Sequence, residues 1–249
     1  MSTQKPPIRI ALLNPSYFPR MTDFRLLFFA DVVIILDAIS VLHHVWHTTV
    51  KYDGDPKHNP VNVAMMPSVT LQVPFMSLRQ QTFETILCQQ NGWQSTHVHL
   101  LTQHYKGHSH NIGPVIEQIA HFPIRYSDGI LRMWHLLTDY IDEIQRKKII
   151  FLSDLQGNVR KVTNRADLTI ALGKKFGATH ILYPEHGWIY RRAKISKYFT
   201  VMRDESILPK YSASRGTNWS IIDAIAKLGQ LGLTDYFTTI ATKEGWHVI

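Results

Sequence analysis

The chain has 249 residues, 45% hydrophobic and 18% charged, the balance of a packed globular protein and not of a disordered or fibrous one. Its formal charge of +8 favours anionic partners: phosphates, nucleotide-linked sugars or nucleic acid. The single cysteine, Cys88, excludes an internal disulfide, no apolar run reaches the roughly 18 residues of a membrane span, and "MSTQKPPIRI" lacks the apolar core of a signal peptide, so the cytoplasm is the expected place.

In chain order, residues 8–13 form a buried strand that stops at Asn14-Pro15. The aromatic-proline segment Tyr17-Phe18-Pro19 follows, then Arg20 and a helix over 21–30. "VVIIL" (32–36) is a second buried strand, β-branched and ending at Asp37. Strand, loop, helix, strand is the opening of a parallel α/β unit. Segments 45–52, 61–66 and 69–75 alternate and are punctuated by Gly, Asp and Pro, which predicts a small antiparallel portion. Helical spacing then runs through 79–90, 94–105, 111–120 and 128–146. "KKIIFLSD" (147–154) returns to strand and ends at Ser153-Asp154. A helix over 164–176 closes at Gly177, a C-cap residue. "THILYP" (179–184) leads into Glu185-His186, and 198–204 reads as a further strand. "NWSIIDAIAKLG" (218–229) is an amphipathic helix with Asn218 or Ser220 at its start. The expectation is one α/β domain over 1–249, with a mostly parallel central sheet, flanking helices, a small antiparallel portion and a helical midsection over about 79–146.

Open parallel sheets bind ligands beyond the carboxyl ends of their strands, and several predicted strands run into polar residues there. Asn14, Tyr17 and Arg20 fall on the first such loop, where two prolines limit the conformational freedom lost on binding. Asp37 and Asp154 end two more strands. Glu185 or His186 suits a general base, and Arg191 or Arg192 suits a clamp on a phosphate or carboxylate. Arg215, ahead of the last helix, is a plausible anion seat. His97, His104 and His108 share a helical face, but an i,i+7 step of about 10 Å is too long for one ion, so no metal is expected. Helical spacing around Cys88 marks a buried structural thiol. No Walker loop, Gly-x-Ser-x-Gly elbow or Gly-x-Gly-x-x-Gly occurs, which argues against P-loop enzymes, standard hydrolases and Rossmann dehydrogenases. Nothing names a cofactor.

Taken in order, "LNPSYFPR", "ADVVIILD", "LQVP", Trp93 with His97 and Tyr105, "LGKKFGATHILYPEHGWIY" and "LPKYSASRGTNWSIIDAIAKLGQLG" resemble the WbqC-like family found in bacterial polysaccharide gene clusters. Pro15, Tyr17 and Pro19 match the family's opening motif, whereas Leu13 and Asn14 stand where the family has His-Gln, and Arg20 where it has Trp. The resemblance implies a transferase-like role in sugar or specialised-metabolite assembly and places His97 and Tyr105 among the substrate-binding candidates. With the strand-end residues it gives an enzyme that moves an acyl, aminoacyl or similar group to an amino sugar or a small acceptor carrying phosphate or nucleotide. Asp37, His186 and Glu185 are its proton-transfer candidates; Asn14, Tyr17, Arg20, His97, Tyr105, Asp154, Arg191 and Arg215 are its binding candidates. The strand–loop–helix opening is also similar to nucleotidyltransferase-like enzymes. The charge leaves a third class open, a non-catalytic binder of anions or of nucleic acid such as tRNA.

Overall fold

The computed structural model describes residues 6–39, 49–53, 68–77, 81–140, 148–156, 164–183, 191–204, 220–241 and 246–248. Its strands and helices, in chain order, are β1 Arg9–Leu13, α1 Met21–Phe29, β2 Val32–Ile35, β3 Thr49–Asp53, β4 Ser68–Gln72, α2 Trp93–His104, α3 Ser109–Ala120, α4 Tyr126–Asp139, β5 Lys148–Phe151, α5 Arg165–Lys175, β6 His180–Tyr183, α6 Arg192–Ile195, β7 Thr200–Asp204, α7 Ile221–Ala241 and β8 Trp246–Val248.

The main sheet runs β5-β2-β1-β6-β7-β8. Its first five strands are parallel, and β8 pairs antiparallel with β7 at the edge. β3 and β4 form a separate antiparallel pair, with Thr49 opposite Gln72. The chain thus steps outward from β1 through β2 to β5, then returns to the other side of β1 as β6. Connections between parallel strands are right-handed, so the reversal of direction moves the covering helices from one face of the sheet to the other. The burial pattern agrees with this. Ala11, Leu13, Val33, Ile35 and Leu182 pack with Phe24, Leu27, Ile112, Met133 and Ile225 on the face of α1, α2, α3, α4 and α7. The alternate residues Ile10, Leu12, Ile34 and Ile181 pack with Leu168, Leu172 and Ile195 on the face of α5 and α6. Strands buried on both sides need apolar residues at every position, which is why they read as continuous runs and not as alternation.

Local chemistry sets the boundaries. Asp31 accepts from the Arg9 main-chain N–H at 2.8 Å and pairs with the Arg9 guanidinium at 3.2 Å, fastening the starts of β1 and β2. Asn164 caps α5 by accepting from the N–H groups of Ala166 and Asp167. Gly177 ends that helix at φ +65°, with Ala178 N–H donating to Gly173 at 2.8 Å and Gly177 N–H to Lys174 at 3.2 Å, the doubly bonded left-handed cap expected of glycine. In each layer a glycine admits a phenylalanine ring. A Cβ on Gly129 would lie 2.1 Å from Phe122, and one on Gly173 would lie 2.5 Å from Phe199.

Several boundaries differ from the sequence expectation. Residues 81–90 do not form a helix: apart from a turn in which Thr85 and Ile86 N–H donate to Thr82, the amides go to neighbouring chain, with Cys88 N–H donating to Ile124 at 2.7 Å and Gln89 N–H to Pro74 at 2.8 Å. Cys88 is buried, as expected, but in an isolated bridge with Phe75. α4 runs Tyr126–Asp139, and residues 141–146 of the expected helix lie outside the described residues. The expected strand over 61–66 lies outside the described residues. α7 continues past 229, with a break at Gly229 (φ 65°, ψ −174°), where Asn111 Nδ2 donates to the Ala226 carbonyl at 2.8 Å. β8 was not anticipated. Among the described residues no helix is long and apolar enough to cross a membrane.

Candidate functional site

Because β1, β2, β5, β6 and β7 are parallel, their carboxyl ends share one edge. β1 gives way to Asn14, β2 to Leu36-Asp37, β5 to the short 3₁₀ turn Leu152–Asp154, and β6 ends at Tyr183. The strand order reverses between β1 and β6. In an open α/β sheet, divergence of the chain at such a switch point leaves a crevice at the carboxyl edge.

On one side of β1 stands Asp37, nearly fully buried. Ile35 and Phe151 are register partners in β2 and β5, and two residues further on each chain presents Asp37 and Ser153. Asp37 Oδ1 accepts from the Ser153 main-chain N–H at 2.9 Å, and Oδ2 accepts from the Ser153 hydroxyl at 2.5 Å. The Asp37 carbonyl accepts from Glu84 N–H at 3.0 Å. Burial pushes the Asp37 carboxyl above the ordinary carboxylate range, against the opposing pull of the Ser153 hydrogen bonds. Asp154 follows on the same turn and is exposed.

At β1 the loop turns inward. Asn14 Oδ1 is buried and carries no hydrogen bond among the described residues. Tyr17 is 0% exposed. Its ring packs against Phe18 (4.5 Å between centroids), Phe122 (5.6 Å), His97 (5.7 Å) and Trp93 (5.9 Å). Its hydroxyl lies 3.3 Å from His97 Nδ1. Burial lifts the Tyr17 phenol far above its usual range and lowers the His97 imidazole to about 4 despite a main-chain hydrogen bond with Gln72. Both side chains are therefore neutral near pH 7 and meet inside the core. Of the histidines expected to share one face of α2, His97 is turned into the core and is 5% exposed. The helix ends at His104, one turn before His108.

The far end of the same loop meets α7. Arg20, which is exposed, bridges antiparallel to Ser220, and Ile221 N–H donates to the Pro19 carbonyl at 3.0 Å. In the first turn of α7, fully buried Asp223 accepts from Tyr105 Oη at 3.2 Å and from Lys227 Nζ at 3.0 Å. Tyr105 itself is buried. Neither Ser153 nor the Asp223–Lys227 pair was singled out as functional from the sequence. The i,i+4 spacing of acid and lysine on an amphipathic helix was the available signal for the second.

The structure thus sets Asn14, Asp37 and Asp154 beyond strand ends of one edge and Arg20 at the far end of the β1 loop, while Tyr17, a binding candidate from the sequence, is fully buried behind that edge with His97, and Tyr105 is buried against Asp223. Arg191, exposed and left-handed at φ 56°, immediately precedes α6. Glu185, His186 and Arg215 lie outside the described residues. Elsewhere, between α3, α4 and α7, a cleft of about 360 Å³ lined by His110, Asp139 and Gln230 includes none of the residues picked from the sequence.

A sequence model of the WbqC-like protein family matches residues 14–233, a span that begins at the loop after β1 and closes within α7, and the chain belongs to that family. No curated protein and no solved structure matches it.

Proposed function

We propose, from the premise that this chain is a WbqC-like protein, that it is a transferase of polysaccharide or specialised-metabolite biosynthesis. It moves an acyl, aminoacyl or similar group to an amino sugar or to a small acceptor that carries phosphate or a nucleotide. The observation that carries this reading is Asn14 Oδ1, a buried acceptor without a hydrogen bond among the described residues, beside the switch point of the sheet. An orphaned buried acceptor costs about 1–3 kcal/mol, and a ligand hydroxyl or N–H placed there removes that cost. The charge of +8 supports an anionic acceptor.

In this proposal Asn14 and Arg20 touch substrate, with Asp154 at the rim. Asp37 and His186 move protons, Glu185 being the alternative base. Arg191 and Arg215 hold the anion. Tyr17, His97 and Tyr105 serve the site from the core by holding the β1 loop and α7 in place.

A thermal-shift screen with nucleotide sugars, nucleoside triphosphates and tRNA tests the reading. A small ligand at a hundred times its Kd stabilises by about 2.7 kcal/mol, roughly 5–10 °C for a chain of this size. Asn14→Ala then weakens binding by up to about tenfold, the worth of one hydrogen bond. A shift with tRNA alone, falling steeply with salt, favours a nucleic-acid binder instead. No shift with any nucleotide-linked compound sinks the proposal.

A further inference from the structure

We propose that Ser153 is a nucleophile activated by Asp37, and that the pair carries the transferred acyl group as a serine ester. This rests on the group-transfer reading and narrows its donor to an activated acyl ester or thioester. A serine hydroxyl is a weak nucleophile until an adjacent base, itself held in place, takes its proton. All three elements are present. Ser153 Oγ donates to Asp37 Oδ2 at 2.5 Å. The other carboxylate oxygen is fixed by the Ser153 N–H at 2.9 Å, and the Asp37 main chain is fixed by Glu84 N–H at 3.0 Å. Ser153 is only part-buried, on the carboxyl edge where ligands of parallel sheets bind.

A purely structural account makes Asp37 the cap of the turn Leu152–Asp154. Capping needs only the main-chain bond to Ser153 N–H; the hydroxyl contact goes beyond it.

The chemistry closes without a redox partner. Ser153 Oγ attacks the donor carbonyl carbon, and its proton passes to the Asp37 carboxylate as the O–C bond forms. Collapse breaks the bond from carbon to the leaving sulfur or oxygen, which takes the proton from Asp37. The acceptor amine or hydroxyl then attacks the serine ester and gives its proton to Asp37. Asp37 returns it to Ser153 as that oxygen leaves.

The full chain is mixed with p-nitrophenyl acetate, nitrophenolate release is followed, and the digested protein is mapped by mass. A stoichiometric burst with acetyl on the peptide bearing Ser153 is expected. Ser153→Ala loses the label and Ser153→Cys restores it. Asp37→Asn keeps an amide oxygen able to cap the turn but slows the burst roughly 10²-fold or more. Wild-type protein without acetyl on Ser153, or an Asp37→Asn variant that acetylates at the wild-type rate, overturns the inference. Acceptor transfer by Ser153→Ala at the wild-type rate overturns it while leaving the transferase reading intact. Acetylated Ser153 with no thermal shift from any nucleotide-linked compound sinks the acceptor class and leaves the dyad standing.

Discussion

On one face of the sheet Ile10, Leu12, Ile34 and Ile181 meet the aliphatic sides of α5 and α6. On the other, Ala11, Leu13, Val33 and Leu182 meet a layer that also buries Tyr17, His97, Tyr105, Arg25 and Asp223. The Arg25 guanidinium lies 5.1 Å from the Phe29 ring centre there. Aliphatic layers tolerate exchange of similar volumes, because any close-packed arrangement satisfies them. Buried ionisable and hydrogen-bonding groups are less forgiving, since a lost partner leaves the full desolvation cost. The difference teaches where specificity is stored. The α5/α6 face supplies burial, while the opposite face fixes the loop after β1 and the start of α7 in one arrangement.

Removing a buried charge tests this contrast most severely. Asp223→Ala takes away the carboxylate shared by Lys227 and Tyr105, and breaking a buried pair costs about 3–5 kcal/mol. Ile170→Val, on the other face, costs about 0.5–1.5 kcal/mol. Urea unfolding of the two variants measures both, and equal losses would erase the distinction.

Acidity probes the same face next. The His97 imidazole takes up a proton near 6.5 when unfolded and near 4 when folded. Between those values the unfolded state binds more protons, so stability falls as pH drops. The contribution is complete above about 6.5 and gone once pH falls through about 4; at about 1.4 kcal/mol per pH unit it reaches about 3 kcal/mol. Unfolding midpoints of wild type and His97→Phe across this range should diverge, the variant losing less on acidification. Superimposable profiles would refute the assignment.

A comparably small effect belongs to the aliphatic side. Asn164→Ala removes both capping hydrogen bonds of α5 and costs about 1 kcal/mol. The loss should be the same at pH 7 and pH 5, a flatness that sharpens the contrast with His97.

The sheet was legible because its central strands carry unbroken apolar runs that lead into proline or aspartate, signals that depend on neighbours in sequence. The stretch around Cys88 misled for the opposite reason. Its apolar spacing suits a helix, but Ile124 and Pro74 offer carbonyls to its amides, and no local pattern reports a partner so far along the chain. Tyr17 shows the same limit at the candidate site. Sequence marks an aromatic-proline loop at a strand end, but its inward turn is decided by Trp93, His97 and Phe122. Asp37 was readable as a strand-end acid, whereas its engagement with Ser153 depends on the pairing of β2 with β5.

The placing of β1 between β2 and β6 has a consequence for biosynthesis. Ile8 N–H donates to Thr179 Oγ1 across 171 residues, so the first strand to leave the ribosome waits for most of the polypeptide before its second neighbour arrives. Such distant parallel pairing is slow. A nascent chain halted ahead of β6 lacks the strand that completes the switch point, so the carboxyl edge beyond β1 is assembled only after most of the polypeptide has been made.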